Sequence, residues 1–412
     1  MEIASPLKNP TFLCFWLGQI ASSFAFQMLV VGIGWQMYEL TNSALNLGLV
    51  GLAQFLPQLA LTLVAGHTVD QYNRRVIILC CRLLMAATIL VLVLGNLTHT
   101  ISAAMIYACS AVLGATRAFE MPATQALLPN LIAPSLLSRA VALMASAREA
   151  TVIAGPALGG LIYLIGATTL YATSVACFLA SFLVLLRLRY EHKAPARAPV
   201  TLESLFGGMN FIRRNPVILG SISLDMFAVL LGGATALLPI VAKDILHTGP
   251  WGLGLLRCAP ALGAVLMSIY LSRRPLTRNV GKIMFSAVAV FGVATIAFGL
   301  SSNLFLSLSA LLLLGASDMV SVVIRSTLVQ LETPDDMRGR VSAANSIFIG
   351  TSNQLGEFES GVTAAWLGVV PAIVVGGLGT LLVVALWMKY FPTLAQRQTL
   401  EAGENTENLP IR

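Results

Sequence analysis

The sequence predicts an all-α integral membrane protein, in which twelve transmembrane helices form two six-helix repeats around a central cavity. Three observations predict this fold: the small number of charged residues, the long apolar runs, and short sequence segments that recur in the second half. Of the 412 residues, 57% are hydrophobic and 10% are charged, whereas soluble chains carry about 25% charged residues. So few charges cannot cover a soluble protein of this length, and lipid must therefore contact much of its surface.

The apolar runs are continuous, as in Leu83–Leu94 and Leu304–Leu314. Membrane β-strands alternate apolar and polar residues, so continuous runs predict helices, and about 20 apolar residues cross the bilayer. At that length the first half contains spans near residues 11–38, 45–67, 76–97, 101–127, 140–165 and 168–187. The second half contains spans near residues 216–242, 250–271, 280–300, 304–329, 341–366 and 370–390.

The spans divide the chain into four parts. Residues 1–187 form an N-terminal six-helix bundle, and residues 216–391 form a C-terminal one. Between them, residues 188–215 are polar enough to be a cytoplasmic linker, which contains an amphipathic piece, Leu202–Arg214. Residues 392–412 follow as a cytoplasmic tail.

The two halves repeat each other in sequence. The segment Leu131–Pro134 stands 200 positions before Leu331–Pro334, and each leads through arginine into a long helix. The pair Arg74–Arg75 likewise precedes Arg273–Arg274 by 199 positions. Two six-helix halves repeated in parallel place a substrate cavity between them, near the middle of the membrane.

Basic residues predict the orientation. Most of the 25 lysines and arginines fall in short segments on the side of the two termini, and such segments are normally cytoplasmic. We therefore expect a multi-pass protein of the bacterial inner membrane with both termini in the cytoplasm. The net charge of +7 does not indicate a nucleic-acid partner, because the basic residues lie between spans.

The loop from Gly66 to Arg75 contains a glycine, an aspartate four residues on (Asp70), and a basic pair (Arg74 and Arg75). This pattern resembles the loop signature of the major facilitator superfamily. The resemblance implies a cytoplasmic gate, in which Asp70 faces the positive N-terminus of the eleventh span, near residues 341–366. The gate residues are then Gly66, Asp70, Arg74, Arg75, Arg338 and Arg340. In the alternative interpretation, Asp70 and Arg74 only set topology and cap a helix.

Helix 5 contains a second signature, formed by Gly155, Pro156, Gly159 and Gly160. It resembles the glycine–proline signature of major facilitator exporters and favours export. Ordinary close packing of helices would need the same small residues. The loop Gln330–Val341 and the phrase Leu224–Phe227 resemble the superfamily branch that includes the bacterial enterobactin exporter and related efflux permeases.

Charges within the spans are candidates for function, because a charge at bilayer depth costs at least ~2.5–3.5 kcal/mol. A carboxylate in a cavity can bind and release protons, and an arginine can link that carboxylate to a substrate. The candidates for proton coupling and the substrate cavity are Arg117, Glu120, Asp225, Asp318, Arg325 and Glu357.

The roles of these charges stay open at this point. Two same-helix pairs, Arg117–Glu120 and Asp318–Arg325, could instead be permanent structural ion pairs. Arg82 and Arg257 lie nearer to span ends, where long side chains can reach the membrane interface. Aromatic residues such as Phe26 could line a cavity for a ring-bearing substrate or face lipid.

The sequence thus predicts a secondary active transporter, most simply a proton-coupled exporter of a small amphipathic molecule such as a drug, siderophore or metabolite. Uptake or lipid flipping on the same fold is the alternative within transport, and a non-transporting receptor or assembly factor is the alternative outside it. No phosphate-cradling Gly-rich loop or catalytic constellation is present. We therefore expect no enzyme activity, cofactor or metal site. The expected partners are the substrate, protons and the lipid bilayer, with the protein as a monomer.

Overall fold

The computed structural model describes residues 5–188, 202–274, 276–334 and 337–400. Helices account for nearly all of this part of the chain, and it contains no strand. Twelve long helices form two six-helix halves, which confirms the predicted architecture.

The first half consists of six helices that follow one another through short turns. They are α1 (Pro10–Thr41), α2 (Ala44–Gln71), α3 (Arg74–Leu97), α4 (Ala103–Leu131), α5 (Leu137–Tyr163) and α6 (Ala167–Leu186). The linker helix α7 covers Leu202–Arg214 and packs against the second half.

The second half begins with α8 (Pro216–Gly232), whose span continues in short helical turns to Ile245. It then contains α9 (Pro250–Arg273), α10 (Val280–Leu300), α11 (Leu304–Glu332), α12 (Arg338–Leu367) and α13 (Val369–Tyr390). By length and composition, ten of the twelve candidate spans in the described residues are apolar enough to cross a membrane. The other two, α4 and α12, are of full length but more polar.

The first helix of each half starts in the same way. Asn9 precedes Pro10, and Asn215 precedes Pro216. Each asparagine side chain accepts hydrogen bonds from the first backbone amides of its helix, including one from Thr11 at 2.9 Å and one from Val217 at 3.0 Å. Proline fits the first turn because its missing N–H has no partner there. The halves therefore share their entry geometry as well as their helix count.

The span predicted near residues 216–242 is present, but it is not one regular helix, because α8 ends at Gly232 and the backbone changes course at Gly233. Two adjacent glycines weaken a helix by leaving the backbone free. The carbonyl of Gly233 accepts a hydrogen bond from the Ser360 hydroxyl at 3.0 Å, so α12 satisfies a group that the break leaves free. Beyond the break the span continues as a 3₁₀ turn, a short α-turn and a π-turn, Val241–Ile245.

The halves contact each other on one face of the bundle, which we call the opposite side because it lies away from the start of α1 and the end of α13. There, Gly48 of α2 meets Gly361 of α12 so closely that a Cβ on Gly361 would lie 2.9 Å from the Gly48 Cα. A Cβ on Gly254 of α9 would lie 2.6 Å from the carbonyl oxygen of Pro156 in α5. Only glycine permits such close backbone contact.

Two side-chain hydrogen bonds join the halves within the described residues, and both lie on the opposite side. The Tyr38 hydroxyl donates to the Asp244 carboxylate, and the Lys243 ammonium donates to Asn42 at 3.4 Å. On the face that carries the start of α1, which we call the terminus side, the described residues form no side-chain hydrogen bond between the halves. A Cβ on Gly66 or Gly339 would find no atom within 4 Å. The protein is therefore closed on the opposite side and open on the terminus side.

Candidate functional site

A cavity of about 480 Å³ lies in the wall of the first half, among α1, α4 and α5. Its lining comes from the terminus-side portions of these helices, so the cavity belongs to the open side of the protein. The lining is mixed, with apolar side chains such as Ile20 and Met144, amides such as Gln27, and the charged residues Arg117, Glu120 and Arg148. A mixed lining of this kind suits an amphipathic ligand.

Glu120 forms an ion pair with Arg82 of α3, with 2.5 Å between the guanidinium and the carboxylate. Arg82 also donates a hydrogen bond to Gln19 of α1. The Arg82 side chain is only 1% exposed, so the expectation that it reaches the membrane interface is wrong. Sequence reasoning missed this partnership because the two residues lie on different helices, 38 positions apart.

Arg117 does not pair with Glu120 at close range. Its guanidinium carbon lies 3.8 Å from the centre of the Phe26 ring, in a cation–π contact. It donates no hydrogen bond to any residue that the structure describes, so its donors are available to the cavity. The same holds for the exposed guanidinium of Arg148, to which the sequence assigned no role and which also lines the cavity.

A second, smaller pocket of about 70 Å³ lies deeper, where the two halves meet. Phe26 lines both cavities and lies between them, because α1 lines the larger cavity up to Gln27 and the smaller one from Leu29 onward. The second half contributes Arg257 of α9 and Glu357 of α12 to this inner pocket. Arg257 therefore faces a cavity within the protein, and its expected position at the membrane interface is wrong.

The inner pocket contains buried polar atoms without partners in the described part of the chain. Ser110 Oγ and Arg257 Nε, both in the lining, make no hydrogen bond, and neither does Oε1 of the adjacent Gln354. Buried polar groups are normally satisfied by protein or water. A polar pocket of this size can hold a few water molecules, so we expect the pocket to be hydrated.

Glu357 lies directly at the interface between the halves. A Cβ on Gly51 of α2 would be 2.9 Å from its carboxylate oxygen. Its attractive charged neighbour is Arg257, and the Thr235 side chain lies near the carboxylate. Arg257 and Thr235 both belong to the second half, so Glu357 would leave the glycine face of α2 if the opposite side opened.

The second half contains its own charge cluster, buried inside the bundle. Asp225 of α8 pairs with Arg325 of α11 at 3.2 Å and accepts a hydrogen bond from Ser321 at 3.2 Å. Arg325 also donates to Asn345 of α12 at 3.2 Å. The partner of Asp225 thus lies 100 positions away on another helix, and no spacing in the sequence indicates it.

Asp318 lies beside this cluster and, with Asp225, lines a narrow gap of about 10 Å³. It makes no hydrogen bond or close ion pair within the part of the chain that the structure describes. The same-helix pair Asp318–Arg325 is therefore not a close contact, since Arg325 bonds Asp225 instead. Asp225, Asp318 and Arg325 thus lie in one cluster, which has a net charge of −1 when both carboxylates are ionised.

In this conformation, Arg74 and Arg75 of the predicted gate bond to helices of their own half. Arg74 donates to the Ala126 carbonyl of α4 at 3.1 Å, and Arg75 donates to the Leu186 carbonyl at the end of α6 at 2.6 Å. Asp70 makes no hydrogen bond or ion pair with any described residue. On the other half, Arg338 donates to the Gln330 carbonyl, and the Arg340 guanidinium contacts the Met337 sulfur. The basic pair thus holds helices within its own half while the terminus side is open.

The glycine–proline signature lies at helix contacts. A Cβ on Gly155 would be 2.5 Å from Gln27 Cβ, and one on Gly159 would be 3.0 Å from the Met28 backbone of α1. Gly160 faces the Pro250 backbone at the start of α9, next to the contact between Pro156 and Gly254. The signature therefore brings α5 against α1 on one face and against the second half on another.

Comparison with known proteins agrees with this architecture. Residues 2–408 match the family model of transmembrane secretion effectors. The chain is 26% identical to the enterobactin exporter EntS of Citrobacter koseri over 92% of this chain and 91% of that protein. It is also 26% identical to EntS of Shigella boydii, over 95% and 94% of the two chains.

Solved structures show the same fold. A bacterial homologue of the iron transporter ferroportin in an inward-facing state superposes with a TM-score of 0.71 at 17% identity, covering 96% of this chain and all of that one. A variant of the nucleoside transporter NupG gives 0.71 at 12% identity, over 92% of this chain and all of its own. The chain therefore belongs to the transmembrane secretion effector family of major facilitator superfamily permeases and is a membrane transporter rather than an enzyme.

Proposed function

We propose that this protein is a proton-coupled exporter, which carries a small amphipathic molecule across the bacterial inner membrane by alternating access. The observation that supports this most is the large cavity, whose mixed lining opens to the terminus side while glycine contacts close the opposite side. Alternating access needs such a one-sided opening, because a substrate must never find both sides open together. The exporter names of the relatives and the signature in α5 favour export over uptake.

The terminus side is cytoplasmic in this proposal, since the basic segments gather there. The gate then forms in the other half of the cycle, when Asp70 approaches the start of α12 and Arg74, Arg75, Arg338 and Arg340 surround the contact. That rearrangement requires Arg75 to release the end of α6.

Glu357 is the best-placed carboxylate for proton coupling. Glu120 is held by Arg82, and Asp225 is held by Arg325 within one half, so neither needs to change its surroundings when the halves rock. Glu357 instead lies against Gly51 of the other half, beside a polar pocket. Opening of the opposite side would expose it to water, and proton binding can in this way be linked to the conformational state.

The test is a proton-release assay in inside-out vesicles with a pH-sensitive dye and a panel of dyes, antibiotics and siderophores. We expect compound-dependent proton release from the acidified lumen, and Glu357→Gln should abolish it. Glu359→Gln is the matched control, because Glu359 lies on the same helix and accepts a hydrogen bond from Thr363 at 2.6 Å. This control should keep the wild-type rate.

Other outcomes point to the other functions. Accumulation of compound in the opposite direction would indicate uptake, and movement of a labelled lipid would indicate a flippase. Binding of a compound without any turnover by well-folded protein would indicate a receptor. Equal rates for Glu357→Gln and wild type would exclude Glu357 as the coupling carboxylate.

A further inference from the structure

The large cavity has an excess of positive charge. Arg117 and Arg148 line it, and Arg82 lies behind Glu120. Since Glu120 is the one carboxylate among the described lining residues and Arg82 already neutralises it, the two lining arginines remain uncompensated. Glu149 follows Arg148 in sequence but does not line the cavity. The wall that faces a substrate therefore carries a net charge of about +2.

The two lining guanidiniums also lack acceptors. Neither donates a hydrogen bond to a residue that the structure describes, although each carries five N–H groups. A guanidinium matches carboxylate, sulfonate and phosphate groups with two parallel hydrogen bonds. Uncompensated cations at membrane depth are costly, so an anion in the cavity would gain the attraction of both. The charge and the free donors thus point to the same kind of ligand.

The rest of the lining indicates what carries the anionic group. The Phe26 ring lies at the inner end of the cavity with Arg117 stacked on it. Ile20, Met121 and Met144 supply flexible apolar surface, and methionine in particular adapts to ligands of different shape. An apolar or aromatic body fits this surface while its anionic group reaches the arginines.

From this arrangement we propose that the substrates are organic anions, in which a carboxylate, sulfonate or phosphate group sits on an apolar or aromatic body. Arg117 and Arg148 bind the anionic group, and Phe26 and the methionines contact the body. This inference rests on the proposed function, since it names the substrates of a transporter, but binding measurements alone can test it.

The test compares two probes that share one ring system, 8-anilinonaphthalene-1-sulfonate and its uncharged analogue N-phenyl-1-naphthylamine. Their fluorescence is titrated with the full chain in nanodiscs of zwitterionic lipid, and empty nanodiscs are subtracted. We expect the sulfonate to bind at least about ten-fold more tightly than the neutral probe, as suits charge-assisted hydrogen bonds. Arg117→Gln/Arg148→Gln should remove this preference and leave the affinity for the neutral probe unchanged.

The matched control is Arg273→Gln/Arg274→Gln, which removes two exposed positive charges from the end of α9 and should change neither affinity. If the cavity variant does not fold, Arg148→Gln alone serves, because that side chain is exposed and should still weaken sulfonate binding several-fold. Equal affinity for both probes, or no effect of the cavity variants, would overturn the proposal. Complete competition by phosphatidylglycerol added to the nanodiscs would support the anion site and identify an anionic lipid as its ligand.

The result is separable from the transport assay. Selective sulfonate binding without proton-linked transport would support the anion site and contradict the exporter. Proton-linked transport of cations alone would support the exporter and contradict the anion site.

Discussion

The two halves place an arginine partner at the same position and use it differently. Gln19 and Asp225 each lie nine residues after the proline that starts their helix. Gln19 accepts a hydrogen bond from Arg82, and Asp225 forms an ion pair with Arg325. The first half has the neutral amide of Gln19 at this position, and Glu120 supplies the negative charge that balances Arg82. In the second half, the carboxylate of Asp225 at this position balances Arg325 directly. The repeat thus preserves the geometry of a buried arginine but not its charge balance.

The difference decides what each half presents to a substrate. In the first half the cluster Arg82, Glu120, Arg117 and Arg148 has a net charge of about +2 and faces the cavity. In the second half, Asp225 pairs with Arg325 beside Asp318 inside the bundle, away from the cavity, and this cluster has a net charge of −1 when both carboxylates are ionised. We infer that the first half recognises the substrate, and that the carboxylates of the second half serve stability and coupling.

The largest expected effect is a loss of stability when the charge of Glu120 is removed. Glu120→Gln leaves the buried Arg82 without a negative partner and should cost about 3–5 kcal/mol of stability, as for other broken buried pairs. Asp225→Asn should cost clearly less, because Asp318 remains near Arg325. Thermal unfolding of both variants in detergent measures the difference. A larger loss for Asp225→Asn would show that Asp318 does not balance Arg325.

The next test sharpens this argument within the second half. If Asp225 and Asp318 substitute for each other, Asp225→Asn/Asp318→Asn should be more destabilising than the sum of the single changes by about 0.5–3 kcal/mol, the range seen for residues in one network. Asp318→Asn alone should leave the unfolding midpoint almost unchanged, since the Asp225–Arg325 pair remains. Strict additivity of the two changes would contradict a shared guanidinium.

The smallest effect is expected at the contact between Gly48 and Gly361, to which each half contributes a glycine. Gly48→Ala and Gly361→Ala add a methyl group to opposite faces of one contact, and overpacking of this kind costs about 1–3 kcal/mol. Both should shift the protein by a similar amount toward a state that is open on the opposite side. Distances between spin labels on α2 and α12 would report the shift. Gly350→Ala on α12 is the control, because its Cβ would find no atom within 4 Å.

Much of the fold could be predicted from sequence, because each span is a local property of about 20 consecutive residues. Each span lies close to a described helix, and the candidate residues Arg117, Glu120 and Glu357 all line cavities. The break after Gly232 was missed, since the residues beyond it are as apolar as a continuous helix would be.

The pairing of charges could not be predicted in the same way. Arg82 and Glu120, or Asp225 and Arg325, meet only through the packing of separate helices, and a single sequence contains no distance between helices. Same-helix spacing instead favoured Arg117–Glu120 and Asp318–Arg325. Which side of the protein is open could not be predicted either, because one sequence encodes both conformations of an alternating-access cycle.

The break at Gly233 has a mechanical consequence. The segment beyond it carries Lys243 and Asp244, which contact the first half, whereas α8 before it carries Asp225, which anchors the second half internally. Gly233 would serve as a hinge, about which the segment that carries Lys243 and Asp244 could move away from Tyr38. The ion pair between Asp225 and Arg325 would stay in place during this motion. The hydrogen bond from Ser360 to the Gly233 carbonyl would resist this bending. Ser360→Ala should therefore make the bend at Gly233 easier.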